Sequence, residues 1–186
     1  MLLREILKES MPALLLCGIG EILASSMLMD FQGPFSSIPG LIMTVPAIID
    51  LRGDVSGALG SRLGSAVHLG IIGEKRLLNR ECKTSIRASL LLSLLMSIFA
   101  AVLAFSIQSA ISGAGAIVLL KLTIIASATG VITGVILAGV SLLIVMLSFR
   151  YGYDPDNVIT PGLATIGDVI TIAMLFLITM GVEAIW

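Results

Sequence analysis

Apolar residues fill this chain in five long blocks, separated by short polar or glycine-containing breaks. The blocks run approximately from Met11 to Met29, Ile38 to Leu69, Ile86 to Gln108, Ala116 to Ser148 and Thr160 to Glu183. Each reaches the ~20 residues that a spanning helix needs. The second and fourth exceed that length by about ten residues, so they must tilt, kink or project from the bilayer. Pro46 gives the second a reason to kink. Between the blocks, Asp30-Phe31-Gln32-Gly33-Pro34 and Gly113-Ala114-Gly115 read as short external turns, and Gly73 to Thr84 as a hydrophilic loop too short for a domain. The pattern predicts an all-α integral membrane protein, with one domain over 1–186 and five transmembrane helices. No internal repeat is evident.

Composition agrees: 57% of the residues are hydrophobic and 12% charged, with a mean hydropathy of +1.10, too apolar for a water-soluble core wrapped in a charged surface. The net charge of -1 says little, and no basic stripe with interleaved aromatics points to nucleic acid. The distribution of cations says more. With five spans, Arg4, Lys8, Lys75, Arg76, Arg80, Lys83, Arg87 and Arg150 share one side and Lys121 stands alone on the other. Eight of the eleven basic residues on one side place the amino terminus in the cytoplasm and the carboxyl terminus outside a cell membrane. Arg4 and Lys8 before an apolar run imitate a signal peptide, but Glu21 interrupts that run, which is read as a retained first span. Cys17 lies in the first apolar block and Cys82 in a basic loop, with much of the membrane expected between them, so a disulfide framework is not expected.

Charges inside the blocks are the candidate chemistry. Asp168 falls within the fifth, where a charge costs at least about 2.5 to 3.5 kcal/mol at the bilayer centre. Thr160, Ala164 and Asp168 recur every four residues, so one helix face carries the acid with small or hydroxyl neighbours and can line a polar path. Glu21 is the only charge in the first span, either held by Arg52 or Arg62 for structure or engaged in ion passage. The second block carries Asp50, Arg52, Asp54 and Arg62; Asp50 and Asp54 share a face of a continuous helix. Gly53, Gly57, Gly60 and Gly64 either admit a neighbouring helix closely or open the backbone to an ion. Gly130, Gly134 and Ala138 form a second close-contact stripe. The third span has no charge in its apolar part and reads as scaffold, and His68 as an interfacial side chain bonded to backbone or water.

Two separated runs in order, Val45-Pro46-Ala47 through Gly53-Asp54 to Ser61-Arg62-Leu63, then Asp154-Pro155-Asp156-Asn157, Thr160-Pro161 and Gly167-Asp168, resemble the membrane domain of the MgtE magnesium channels. The resemblance to the related solute-carrier magnesium transporters of animals is closer still. It implies a five-helix protomer that dimerises about an axis along the membrane normal, with a cation path between protomers. It further implies that Asp168 and the backbone of Ala164 hold a hydrated Mg²⁺, with Thr160 and Asp54 near the path. The chain departs from the family where asparagine usually stands in place of Asp54, and where Asp50 replaces a commonly small residue. Both changes add negative charge. The cytoplasmic acidic and cystathionine-synthase-like domains of MgtE have no counterpart in these residues, and the animal relatives carry two membrane units where this chain has one, so two copies are expected to associate.

Elementary chemistry is compatible with that reading: Mg²⁺ sheds water reluctantly and binds through its hydration shell with one or two carboxylates. Two symmetry-related Asp168 residues place two negative charges beside one dication. The expected function is therefore a divalent-cation channel or transporter, Mg²⁺ foremost, whose path is lined by Asp168, Ala164, Thr160, Asp54 and Asp50. The alternative within transport is a Na⁺- or H⁺-coupled exchanger using Glu21, Asp50 and Asp54. An enzyme is not expected. Asp50 and Asp54 faintly resemble part of a metal-dependent phosphotransferase motif whose other half is missing. Ser56 and His68, twelve residues apart on one helix, lie roughly 18 Å from each other and cannot form a nucleophile and base.

Overall fold

The computed structural model describes residues 3–71, 79–151 and 155–186, which form six helices. They are α1 (Leu3–Asp30), α2 (Gln32–Ser37), α3 (Leu41–His68), α4 (Arg80–Ser112), α5 (Ala116–Tyr151) and α6 (Pro155–Ile185). Five are long and overlap the five apolar blocks, although α1, α4 and α6 begin at Leu3, Arg80 and Pro155, ahead of the expected Met11, Ile86 and Thr160. Among the described residues three stretches, α4, Ala116–Leu147 of α5 and Gly162–Ile185 of α6, are long and apolar enough to cross a membrane, with mean hydropathies of 2.6, 2.6 and 2.1. In α3 four charges interrupt the apolar run. Lys75, Arg76 and Asp154 lie outside the described residues.

Local signals set the helix ends. Asn79 caps α4, its side chain accepting from the Cys82 amide at 2.8 Å, and Glu81 follows in the first turn. At the other end Gly113 takes φ 67, which glycine adopts without strain, and its N–H closes on Ser109 O at 2.9 Å. The turn expected at Asp30 to Pro34 is instead the six-residue α2. So short a helix is marginal alone. Burial of Phe35 and the stacking of Phe31 on Phe176, with centroids 4.0 Å apart, hold it against α6.

At the centre, α3 packs on α4, α5 and α6, while α5 packs on α4 and α6. The first helix stands more apart: among the described residues its backbone approaches closely only α6 and α2. Close approach to α6 comes from Gly20, where a Cβ would lie 2.0 Å from Thr165 Cγ2. The α5 stripe behaves likewise: a Cβ on Gly130 would meet Ser97 Oγ at 2.3 Å and the Ser93 carbonyl at 3.2 Å.

Burial along the bundle is layered. One apolar cluster joins Leu41, Val45 and Ile48 of α3 to Ala101 of α4, Leu122 and Ile125 of α5 and Leu175 of α6. A second joins Leu59 and Leu63 to Cys82, Ala138, Val145 and Leu163. On α3, α4 and α5 most of the buried residues between the clusters are polar or small: Arg52 and Ser56 on α3, Ser89, Ser93 and Ser97 on α4, Thr129 and Thr133 on α5. Asp168 falls at the same level of α6. The bundle thus has a polar waist between two apolar layers.

Candidate cation site

Because α1 and α3 both lean on α6 while their described backbones stay apart, a cavity of about 620 Å³ opens between them. Its polar lining is Glu21 and Ser25 from α1, Asp50 and Asp54 from α3 and Asp168 from α6; Ala164 lies one turn before Asp168. Leu28, Pro46, Ile49 and Ile172 close its apolar part. Asp50 and Asp54, one turn apart, both face this space, as their spacing predicts. Thr160 belongs to α6, but its side chain lies outside the described ones.

The glycines of α3 divide into two groups. Gly60 and Gly64 are buried, as close packing expects. Gly53 and Gly57 line the cavity, and a Cβ on either would meet nothing within 4 Å. These two leave a bare strip of α3 backbone beside the two carboxylates. Pro46, also in the wall, lacks the N–H that would bond to the carbonyl of Ile42.

Glu21 is the residue whose role sequence reasoning left open between a structural pair with Arg52 or Arg62 and ion passage. Its carboxyl group is within hydrogen-bonding reach of Asp168, and Asp50 is close enough to interact with Asp168 electrostatically. Like charges so placed repel unless a proton or another cation lies between them. The signal was Gly20, next to Glu21, which sets α1 tightly on α6. Neither acid uses Arg52, which turns to the other side of α3 and donates from Nη1 to the Gly130 carbonyl at 2.7 Å. Arg62 is exposed and shares with Asp54 and Ser89 a smaller hollow of about 220 Å³ between α3 and α4. His68 is exposed, with Nδ1 3.1 Å from the Gly64 carbonyl.

Chemically, the cavity can attract a dication without stripping it. Six waters at ~30 Å³ each fit in the volume along with the ion. Among the described residues no group of three or more His, Cys, Asp or Glu side chains closes into a metal cage. Carboxylates, bare backbone and a hydroxyl around an open space suit outer-shell contacts to a hydrated ion.

Comparison with known proteins places this chain in a family. The chain is 28% identical over 175 residues to chicken solute carrier family 41 member 2, covering 90% of this chain and 30% of that protein. It is 27% identical over 173 residues to mouse solute carrier family 41 member 3, covering 89% and 34%. Human solute carrier family 41 member 2 is 28% identical over 185 residues. The chain therefore spans about a third of the length of the curated relatives it matches. No solved structure matches it. The profile of the MgtE family, described as divalent cation transporters, matches residues 45–178, which include Asp50, Asp54, Ala164 and Asp168. With well over half its length matched, this chain belongs to the MgtE family of divalent cation transporters.

Proposed function

We propose that this protein moves a divalent cation, Mg²⁺ foremost, across a cell membrane as a largely hydrated ion. Asp168 is the principal attractor, with Asp50, Asp54, Thr160 and the backbone of Ala164 completing the path. The observation that carries this reading is the convergence of Glu21, Asp50, Asp54 and Asp168 from three helices on one cavity of about 620 Å³. Family membership gives the cargo class, and the names of the animal relatives mark them as solute carriers.

In this reading all five long helices span, the amino terminus is cytoplasmic, and two copies form the working unit. The outer face of α1 supports a dimer: Leu15, Ile19 and Ile22 share one side of the helix and are exposed, and among the described residues the α1 backbone closely approaches only α6 and α2. Two cavities facing one axis bring two Asp168 carboxylates to one ion, which a single protomer leaves half neutralised. Coupling to Na⁺ or H⁺ is the second reading, favoured by Glu21 against Asp168, since a carboxylate pair can hold a monovalent ion when the dication leaves.

The test is flux into proteoliposomes, comparing Mg²⁺, Mn²⁺, Co²⁺, Ca²⁺ and Zn²⁺ with and without a Na⁺ or H⁺ gradient. Saturable Mg²⁺ entry is expected. Entry that follows an imposed monovalent gradient identifies the exchanger, and absence of flux for all five ions overturns the proposal.

A further inference from the structure

Arg52 is the one charged side chain buried in the core among the described residues, 1% exposed at the level of the polar waist. Its Nη1 donates to the Gly130 carbonyl, while Nε and Nη2 have no partner among the described residues. Gly134 makes the space for it: a Cβ there would lie 3.0 Å from Nη1. A buried arginine kept for stability alone is expected to be paired, and an apolar residue of similar volume is commonly neutral or stabilising in its place. This charge is therefore unexplained by packing.

Its position relative to the cavity gives it a use. Arg52 is two residues from both Asp50 and Asp54, so it leaves α3 on nearly the opposite side, roughly 200° around the helix. The acids face the cavity while the guanidinium is anchored to α5 behind them. Across a helix the separation is roughly 10 to 15 Å, short enough for unscreened charges in a protein interior to interact. The cavity also has a difficulty to solve. Four carboxylates lining one cavity attract a dication strongly, yet transport requires that it leave.

We propose that Arg52 sets the affinity of the path for the transported dication: its buried guanidinium, fixed to α5 on the far side of α3, opposes the carboxylate field and keeps the ion releasable. The inference rests on the cavity being the cation path. Arg52 touches no ion and acts through the field, as a positioning charge. A dication feels that field twice as strongly as a monovalent ion, so divalent affinity responds most.

The experiment measures Mg²⁺ affinity by calorimetry and maximal Mg²⁺ flux, on the full chain in lipid, for four variants. Arg52→Met keeps the volume and removes the charge; it is expected to bind Mg²⁺ about tenfold tighter and to release it more slowly, lowering maximal flux. Arg52→Lys keeps the charge and is expected to stay within about twofold of the wild-type affinity. Ser93→Asp is the arm that survives if Arg52→Met does not fold. The Ser93 hydroxyl and Arg52 Nη1 both approach the same point beside Gly134, at 3.5 and 3.0 Å. An aspartate there neutralises the guanidinium in place, so it too is expected to tighten Mg²⁺ binding.

Asp168→Asn separates the two levels of the argument. Unchanged Mg²⁺ affinity in that variant removes the cation path and the role of Arg52 with it. Weakened binding there, together with unchanged affinity in both Arg52→Met and Ser93→Asp, overturns the Arg52 inference alone. Tightening in Arg52→Lys equal to that in Arg52→Met also overturns it, because charge is then not the cause. A purely structural latch between α3 and α5 lowers the melting temperature without tightening binding.

Discussion

Replacing Gly20 by alanine tests whether the α1–α6 contact sets the shape of the cavity. A Cβ on Gly20 lies 2.0 Å from Thr165 Cγ2, while Thr165 Cβ and Oγ1 are 3.5 and 3.9 Å away. Ordinary carbon contact is ~3.5 to 4.0 Å, so the methyl or the helix must retreat by about 1.5 to 2 Å. Threonine is stiff about χ1 in a helix, which limits relief by rotation. Overpacking of this kind costs about 1 to 3 kcal/mol, and removing glycine from a helix interior returns about 1 kcal/mol. A net loss on the order of 1 kcal/mol is expected, equivalent to ~2 to 4 °C in melting temperature for a chain of this size. Thr165→Ser removes the clashing methyl and leaves only the ordinary contacts at 3.5 and 3.9 Å. In the serine background Gly20→Ala is therefore expected to be neutral or stabilising, a coupling of about 1 to 2 kcal/mol in a double-mutant cycle. Melting curves and Mg²⁺ flux are read on the same preparations. Flux should fall in Gly20→Ala, as α1 carries Glu21 away from Asp168, and return in the double variant. A Gly20→Ala protein that melts at or above wild type, or a cycle with no coupling, refutes the close contact and the placement of α1 that depends on it.

The other outcomes follow from the cavity lining. Asp50→Asn and Asp54→Asn should weaken Mg²⁺ binding, each by up to about tenfold, with melting temperatures little changed, because Arg52 is bonded to Gly130 rather than to either acid; a collapse of stability with unchanged binding in the folded fraction would show that the two acids are structural. Glu21→Gln should lower Mg²⁺ affinity while relieving repulsion at Asp168, and equal affinity in wild type and variant would remove Glu21 from the path. Mass measurement in detergent should find two copies, and a monomer with full flux contradicts the dimer.

What could be read from the sequence was what the solvent and a single helix dictate. Bilayer thickness imposes block length, so the apolar runs anticipate α1, α3, α4, α5 and α6 to within a few residues at most ends. Helical spacing puts Asp50 with Asp54 and Ala164 with Asp168, and both pairs face the cavity. The same spacing already separates Arg52 from the two acids, since residues two apart cannot share a face. Pairings between helices were less legible. Glu21 meets Asp168 only because α1 packs on α6 and not on α3, a choice written in the shapes of Gly20 and Thr165 rather than in any periodicity. Ser89, Ser93 and Ser97 recur every four residues in a helix that otherwise reads as scaffold; their burial shows them to be the α4 face of the polar waist. The six residues of α2 carry no helical signal of their own, and their conformation comes from Phe35 and the Phe31 stack on Phe176.

The central claim is that Asp168 draws a divalent cation through the cavity between α1, α3 and α6. Asp168→Asn preserves volume and removes one charge per protomer, so a dimeric site loses about two charges facing the ion in a low-dielectric path. Its most direct test is Mg²⁺ flux into proteoliposomes, with a melting curve and a mass measurement on the same preparation. The account requires flux to be abolished while the melting temperature stays within a few degrees of wild type and two copies remain together. Normal Mg²⁺ flux through a folded Asp168→Asn protein would contradict it.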